Sequence, residues 1–165
     1  MGLQKLERLP LARISVRALV KCEDKYLFIK RTKFGESKSF LICPGGRVEF
    51  EDRVVVPGKS SFEPTLRHAM ERQLKWDLAA DGIRLGEFIG VSKMRHHAIE
   101  ALFAAEIDSY DFDKRSGIDT LDPNLGAFEL VTYRNIDRDV LSRRGLKLEP
   151  KEFRKLIPRY IESKV

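Results

Sequence analysis

One helical stretch constrains the fold and the chemistry of this chain more than any other. Thr65 to Leu78 reads Thr-Leu-Arg-His-Ala-Met-Glu-Arg-Gln-Leu-Lys-Trp-Asp-Leu. At about 100° per residue, Leu66, Ala69, Met70, Leu74, Trp76 and Leu78 make one broad apolar face. Gln73 and Asp77 fall inside that face, where a helix that only packs would carry Leu or Ala. Asp77 also lies in the last turn, where the negative end of the helix dipole costs a carboxylate roughly 0.3–1 kcal/mol. A bound cation would reverse that penalty. A helix ending near Lys75 would remove it by leaving Asp77 in a frayed turn.

The approach to this helix carries the second signal. A short apolar strand, Phe40-Leu41-Ile42, runs into Cys43-Pro44-Gly45-Gly46 and then into the acidic segment Arg47-Val48-Glu49-Phe50-Glu51-Asp52. The glycine pair lets backbone carbonyls and amides come close to a ligand. Arg47 beside it offers a planar fork that grips phosphate in two places. Asp52 reads as a partner for Arg72, tying the loop to the helix. Together these residues indicate a phosphate and metal site.

Phe40 to Leu78 resembles a degenerate Nudix box, the family pattern G-x5-E-x7-R-E-U-x-E-E-x-G-U with U an aliphatic residue. Gly46 and Asp52 match its first Gly and Glu, with Asp for Glu, and Arg72 matches its Arg. Nineteen residues separate Asp52 from Arg72 where the pattern has seven, so a twelve-residue insertion, Arg53 to Pro64, is expected. After Arg72 the pattern becomes Gln73-Leu74-Lys75-Trp76-Asp77-Leu78-Ala79-Ala80, and of three metal-site carboxylates Asp77 alone remains an acid. The GDP-mannose mannosyl hydrolase branch is similar in its reduced box, with a Gly-Gly-Arg-Val start and one carboxylate in the final quartet.

The resemblance implies a single Nudix-like α/β/α sandwich with a mixed sheet over residues 1–165, preceded by an arm at 1–10. It implies Mg2+ or Mn2+ held by Asp77, a Gly45 or Gly46 carbonyl and the amide oxygen of Gln73. Asp77, Arg72 and His97 are the expected catalytic residues, and Arg31, Arg47 and His96 the expected substrate contacts. Neighbours on a strand point to opposite faces, so at most one of His96 and His97 faces the site. His97, Glu100 and Glu129 are the candidates for a general base, and Lys33 or Lys38 can assist Arg31. Asn124 is the nearest match to an amide ligand of the mannosyl hydrolase branch. The expected activity is hydrolysis of a nucleoside diphosphate linked to a second moiety, such as a nucleotide sugar. The alternative is a Nudix-fold binding or regulatory module that has lost turnover, which Trp76 supports by placing a ring where most of the family has a carboxylate.

Composition narrows the partners. A net charge of +6 over 165 residues favours anionic ligands. The basic residues after Arg143 read as a solvated helix face without aromatic interleaving, which disfavours nucleic acid. Cys22 and Cys43 stand in unlike contexts, so neither a disulfide framework nor a zinc site is implied and a reducing cytoplasm is expected. No apolar run approaches the ~20 residues of a membrane span. A homodimer is compatible with all of this.

The remaining order is coarse. Ile14 to Lys21 and Tyr26 to Ile29 read as a hairpin, Ile83 to Val91 as a strand pair broken at Gly86 and Gly90, and Ala98 to Ile107 as a buried central strand. Glu100 inside that strand has to lie on an edge, pair with an Arg or ligate a metal. Val54 to Gly58 forms either an extra hairpin edge or a flap. Ser109 to Gly126 reads as a long loop, Phe128 to Tyr133 as a strand, and Asp137 to Arg144 and Glu149 to Glu162 as helices.

Overall fold

Strands buried on both faces must be apolar on both, and the two most continuous apolar runs of the chain accordingly take the middle of the sheet. They are β1 (Ile14–Cys22) and β6 (Ile99–Ile107), paired parallel in register from Ile14 with Ile99 to Cys22 with Ile107. The structure, a computed structural model, describes residues 2–93, 98–116 and 123–165. The other strands are β2 (Lys25–Thr32), β3 (Ser39–Ile42), β4 (Gly45–Arg47), β5 (Arg84–Lys93) and β7 (Ala127–Tyr133). Among the described residues, the α-helices are α1 (Leu3–Leu6), α2 (Phe62–Leu78), α3 (Arg138–Leu141) and α4 (Phe153–Glu162), joined by short 3-10 turns.

The sheet is mixed, seven-stranded and split where it matters for the site. β1 pairs with β2 only over Val20–Cys22, and its first half, Ser15–Arg17, pairs with β4 instead. β2 turns away to pair with β3 through Ile29–Thr32 and with β7 along its other edge. The segment from β3 to β4 wedges into this gap, and the Ala18 amide donates to the Pro44 carbonyl at 2.9 Å. One face of the sheet packs Val16, Ala18 and Val20 against Leu66, Met70 and Leu74 of α2. The other packs Leu19, Phe28 and Leu102 against Phe153 and Ile157 of α4. This is the expected α/β/α sandwich with a mixed sheet.

Several sequence expectations change in detail. α2 begins at Phe62 rather than Thr65, so the end of the expected 53–64 insertion is the first turn of the box helix, where Pro64 is tolerated. It also runs to Leu78 and ends on Ala79 in the left-handed conformation, so Asp77 is within the helix. Val54 to Gly58 is not a strand; the segment is tied down by Val54 N–H to Thr65 Oγ1 and Val56 N–H to Ser61 Oγ, both 3.1 Å. The expected strand pair at Ile83 to Val91 is one strand, β5, with two register shifts against β6. Its glycines serve packing, since a Cβ at Gly90 would come within 2.9 Å of the Leu156 side chain. The N-terminal arm docks by Leu6, which is fully buried in the α2-side core. Both C-terminal helices are shorter than expected, with Asp137 capping α3 by accepting Val140 N–H at 2.8 Å. Among the described residues, no helix is long and apolar enough to cross a membrane.

Candidate active site

The box loop is fastened to α2 by a buried ion pair. Arg72 donates from Nε to Asp52 Oδ1 at 2.6 Å and from Nη2 to Asp52 Oδ2 at 2.8 Å, and the Glu49 amide adds a third bond to Oδ2 at 2.8 Å. Burial pushes the Asp52 carboxyl up, but the Arg72 hydrogen bonds and charge and the Glu49 amide outweigh it, and its pKa lies below the ordinary value. Arg72 Nη2 also reaches the Arg47 carbonyl at 3.1 Å. The Arg72 guanidinium therefore joins three elements.

The guanidinium lies 4.8 Å from the centroid of the Trp76 ring, one helical turn on. Trp76 is 45% exposed, outside the buried face that its helical angle suggested. Its ring covers Arg72 instead of entering the core. Trp76→Ala is expected to cost about 0.5–1 kcal/mol, the scale of an exposed cation–π contact. A denaturation midpoint unchanged from wild type would show that the ring does nothing for Arg72.

Gly45 is the pivot of the site. Its amide donates to Asp77 Oδ2 at 2.9 Å, which ties the last turn of α2 to the start of β4. Beside it, Gln73 is buried against Gly46 and donates from Nε2 to the Arg47 carbonyl at 3.3 Å. The Gly45 carbonyl faces the other way and accepts from Arg17 Nη1 at 3.1 Å. Arg17 Nη1 also donates to the Cys43 carbonyl at 3.1 Å, and its Nε to Glu100 Oε1 at 3.1 Å. Of the three alternatives open for Glu100, pairing with an arginine is the one realised. Burial pushes the neighbouring Cys43 thiol up to about 12, with the Arg17 charge pulling only partly against it, so Cys43 is no nucleophile.

Gly45, Gly46, Arg72, Gln73 and Asp77 are thus assembled at one junction. Arg47 contributes its carbonyl to that junction, and its side chain is exposed. Arg31 lies on β2 between Phe40 of β3 and Phe128 of β7, and Lys33 follows at the strand end over the Phe40 ring. Glu129 is exposed on β7, 3.9 Å from Lys30, in a surface ion pair. His96 and His97 lie outside the described residues. Sequence reasoning missed Arg17. The available signal was a charge in an apolar strand, with a second misfit, Glu100, in the strand that became the parallel partner of β1.

The residues present can be tested against a divalent ion. Among the described residues, no group of three or more His, Cys, Asp or Glu side chains could hold a metal. The junction offers one carboxylate, one amide and a carbonyl shared with a guanidinium. Mg2+ commonly keeps several waters and binds through one or two carboxylates plus substrate phosphates. The donor set fits one such hydrated ion and does not fit a cluster of ions.

No family model matches the sequence, and no curated protein matches it. Solved structures do. A Bacillus subtilis pyrophosphohydrolase is similar over 95% of this chain and 86% of its own, at 15% identity and a TM-score of 0.58. Two structures described as Nudix hydrolases from Nitrosomonas europaea are similar at TM-scores of 0.55: one at 15% identity over 92% of this chain and 90% of its own, the other at 16% over 95% and 74%. The fold is that of the Nudix hydrolases. At these identities the likeness concerns the fold alone.

Proposed function

We propose that the chain hydrolyses a nucleoside diphosphate linked to a second moiety, a nucleotide sugar or a close relative, with one Mg2+ or Mn2+ ion held at Asp77. The observation that carries this reading is the 2.9 Å bond from the Gly45 amide to Asp77 Oδ2, which holds the one acid of the last helical turn at the glycine turn. A carboxylate at the negative end of a helix is disfavoured without positive charge nearby. Arg72 supplies part of that charge, and a bound ion would supply more.

When bound, the divalent ion supplies Lewis-acid polarisation of a phosphoryl oxygen. Asp77 and the Gln73 amide oxygen hold it, and Arg47 and Arg31 bring positive charge to the nucleotide. Arg72 acts by keeping α2 seated on the box loop. The bond attacked is a phosphoanhydride or a glycosyl phosphate, the latter being the reaction of the mannosyl hydrolase branch that the box resembles. The pyrophosphohydrolase activity named for the Bacillus subtilis neighbour is consistent with the first. The two buried free thiols are compatible with the reducing cytoplasm proposed as its location.

A second reading, a nucleotide-binding module without turnover, is favoured by the Gly45 carbonyl, which already accepts a hydrogen bond from Arg17. Purified protein with Mg2+ or Mn2+ should be screened against nucleoside diphosphate sugars, dinucleoside polyphosphates and nucleoside triphosphates. The expected result is metal-dependent turnover that falls roughly a hundredfold or more in Asp77→Asn, with unchanged melting. Nucleotide binding without turnover of any substrate would replace the enzyme with the binding module.

A further inference from the structure

The sheet end remote from β1 carries a second assembly of ligand-binding groups. In the ladder, Arg31 of β2 has Phe40 of β3 on one side and Phe128 of β7 on the other. Side chains opposite one another in a sheet share a face, so the three stand in a row across three strands. The Arg31 guanidinium lies 5.2 Å from the Phe128 ring centroid, and Lys33 Nζ lies 5.8 Å from that of Phe40. Phe34, in the turn between β2 and β3, is 70% exposed. Among the described residues, Arg31 Nε is buried without a hydrogen-bond partner, a donor that an added acceptor would satisfy.

Flat apolar rings interleaved with cations suit a ligand that is both aromatic and anionic. Aromatic and guanidinium planes stack on nucleobases, and such stacking is worth about 1–3 kcal/mol per base. Period-2 alternation along β2 puts Arg31 on the same face as Leu27, which lies in the core under α2. This is the face that carries Gln73 and Asp77. Phe40 and Gly45 are five positions apart in the chain, a span of at most ~17 Å when extended, which is within reach of one nucleotide ligand.

We propose that Phe40, Arg31 and Phe128 form the subsite for the base of the nucleotide, with the diphosphate extending toward Gly45. The inference rests on the proposed function for the identity of the ligand as a nucleotide, and it narrows the contact of Arg31 to the base.

The test is equilibrium binding with Mg2+ and no turnover. The probes are the hydrolysis-resistant α,β-methylene analogues of ADP and GDP, with methylenediphosphonate as the counterpart without a base. At least one nucleotide analogue should bind wild type ten times more tightly than the diphosphonate. Phe40→Ala and Phe128→Ala should each weaken that analogue about tenfold, the low end of the stacking range, and leave the diphosphonate unchanged. Phe40→Leu and Phe128→Leu keep apolar volume and should show the same loss, which guards against an alanine variant that unfolds. Equal binding of nucleotide and diphosphonate by wild type, or variants that lose both ligands together, overturns the subsite. Because no hydrolysis is read, an inactive protein can still pass. An active enzyme whose nucleotide affinity ignores both phenylalanines sinks the subsite and leaves the proposed function standing.

Discussion

Gly45→Ala is expected to cost about 3 kcal/mol or more and to detach β4 from β1. Gly45 has φ of +148°, where a side chain is strained by roughly 1–3 kcal/mol. A Cβ there would also lie 2.0 Å from the Val16 carbonyl oxygen and 2.9 Å from the Arg17 Cα, and both are backbone atoms of a central strand. Neither can move without disturbing the parallel pairing of β1 with β6. The adjacent glycine makes the control. The three atoms nearest to a Cβ at Gly46 all belong to the Gln73 side-chain amide, the first at 2.5 Å, and that amide can swing away. Gly46→Ala should therefore cost far less in stability while displacing Gln73 and weakening Mn2+ binding. Denaturant midpoints for both variants, with Mn2+ titrations of the one that folds, check the contrast. Equal losses of stability would mean that the tight approach at Gly45 relaxes easily.

Breaking the Asp52–Arg72 pair should be the other large effect. Asp52 is fully buried and takes three hydrogen bonds, so Arg72→Met leaves a buried carboxylate without its cation. Such losses cost roughly 3–5 kcal/mol, most of it the penalty of the stranded charge rather than the worth of the pair. The double variant Asp52→Leu/Arg72→Met should for that reason recover much of what Arg72→Met loses. The pH dependence has a definite sign. A carboxyl whose pKa is lowered on folding contributes stability that is fully present above its unfolded pKa of about 3.9, and that is lost as the pH falls through the lower folded value. Arg72→Met keeps only His68, 4.0 Å from Asp52 Oδ1, to favour the ionised carboxyl, and it suffers much less of this loss. The stability gap between wild type and Arg72→Met should narrow on acidification, as chemical denaturation at pH 7 and near pH 3 will read. A gap that widens toward acid would remove Asp52 as the titrating group.

Both variants act through the wedge between β1 and β2. Gly45 holds Asp77 with its amide and Arg17 with its carbonyl, so one residue connects α2 to the far side of the sheet. The latch and the pivot keep the carboxylate of Asp77 in place before any ligand arrives. A site held in this way spends little of its binding energy on ordering itself.

The local grammar of the chain was enough to determine the elements that carry the site. The 3.6-residue pattern of Thr65 to Leu78 marked Gln73 and Asp77 as polar residues in an apolar face, and the resemblance to the Nudix box, with an insertion between them, implied that Asp52 and Arg72 are partners. The apolar run at Ala98 marked a buried central strand, whereas Ile14 to Lys21 read only as one strand of a hairpin and its central place came from the parallel pairing with β6. The helical pattern and the apolar runs are properties of chain-neighbouring residues, and periodicity and spacing report them directly. The pairing of strands decided the rest. Arg17 reaches Glu100 only because β1 and β6, some eighty residues apart, lie side by side and parallel. Phe40 and Phe128 flank Arg31 only because β2 leaves β1 and pairs with β3 and β7 at its open end. Trp76 lies at the edge of the apolar face of α2 and turned outward onto Arg72, while Leu74 and Leu78 entered the core. Register and packing are relations between distant segments, and a sequence read along its length holds the residues of those relations without their partners.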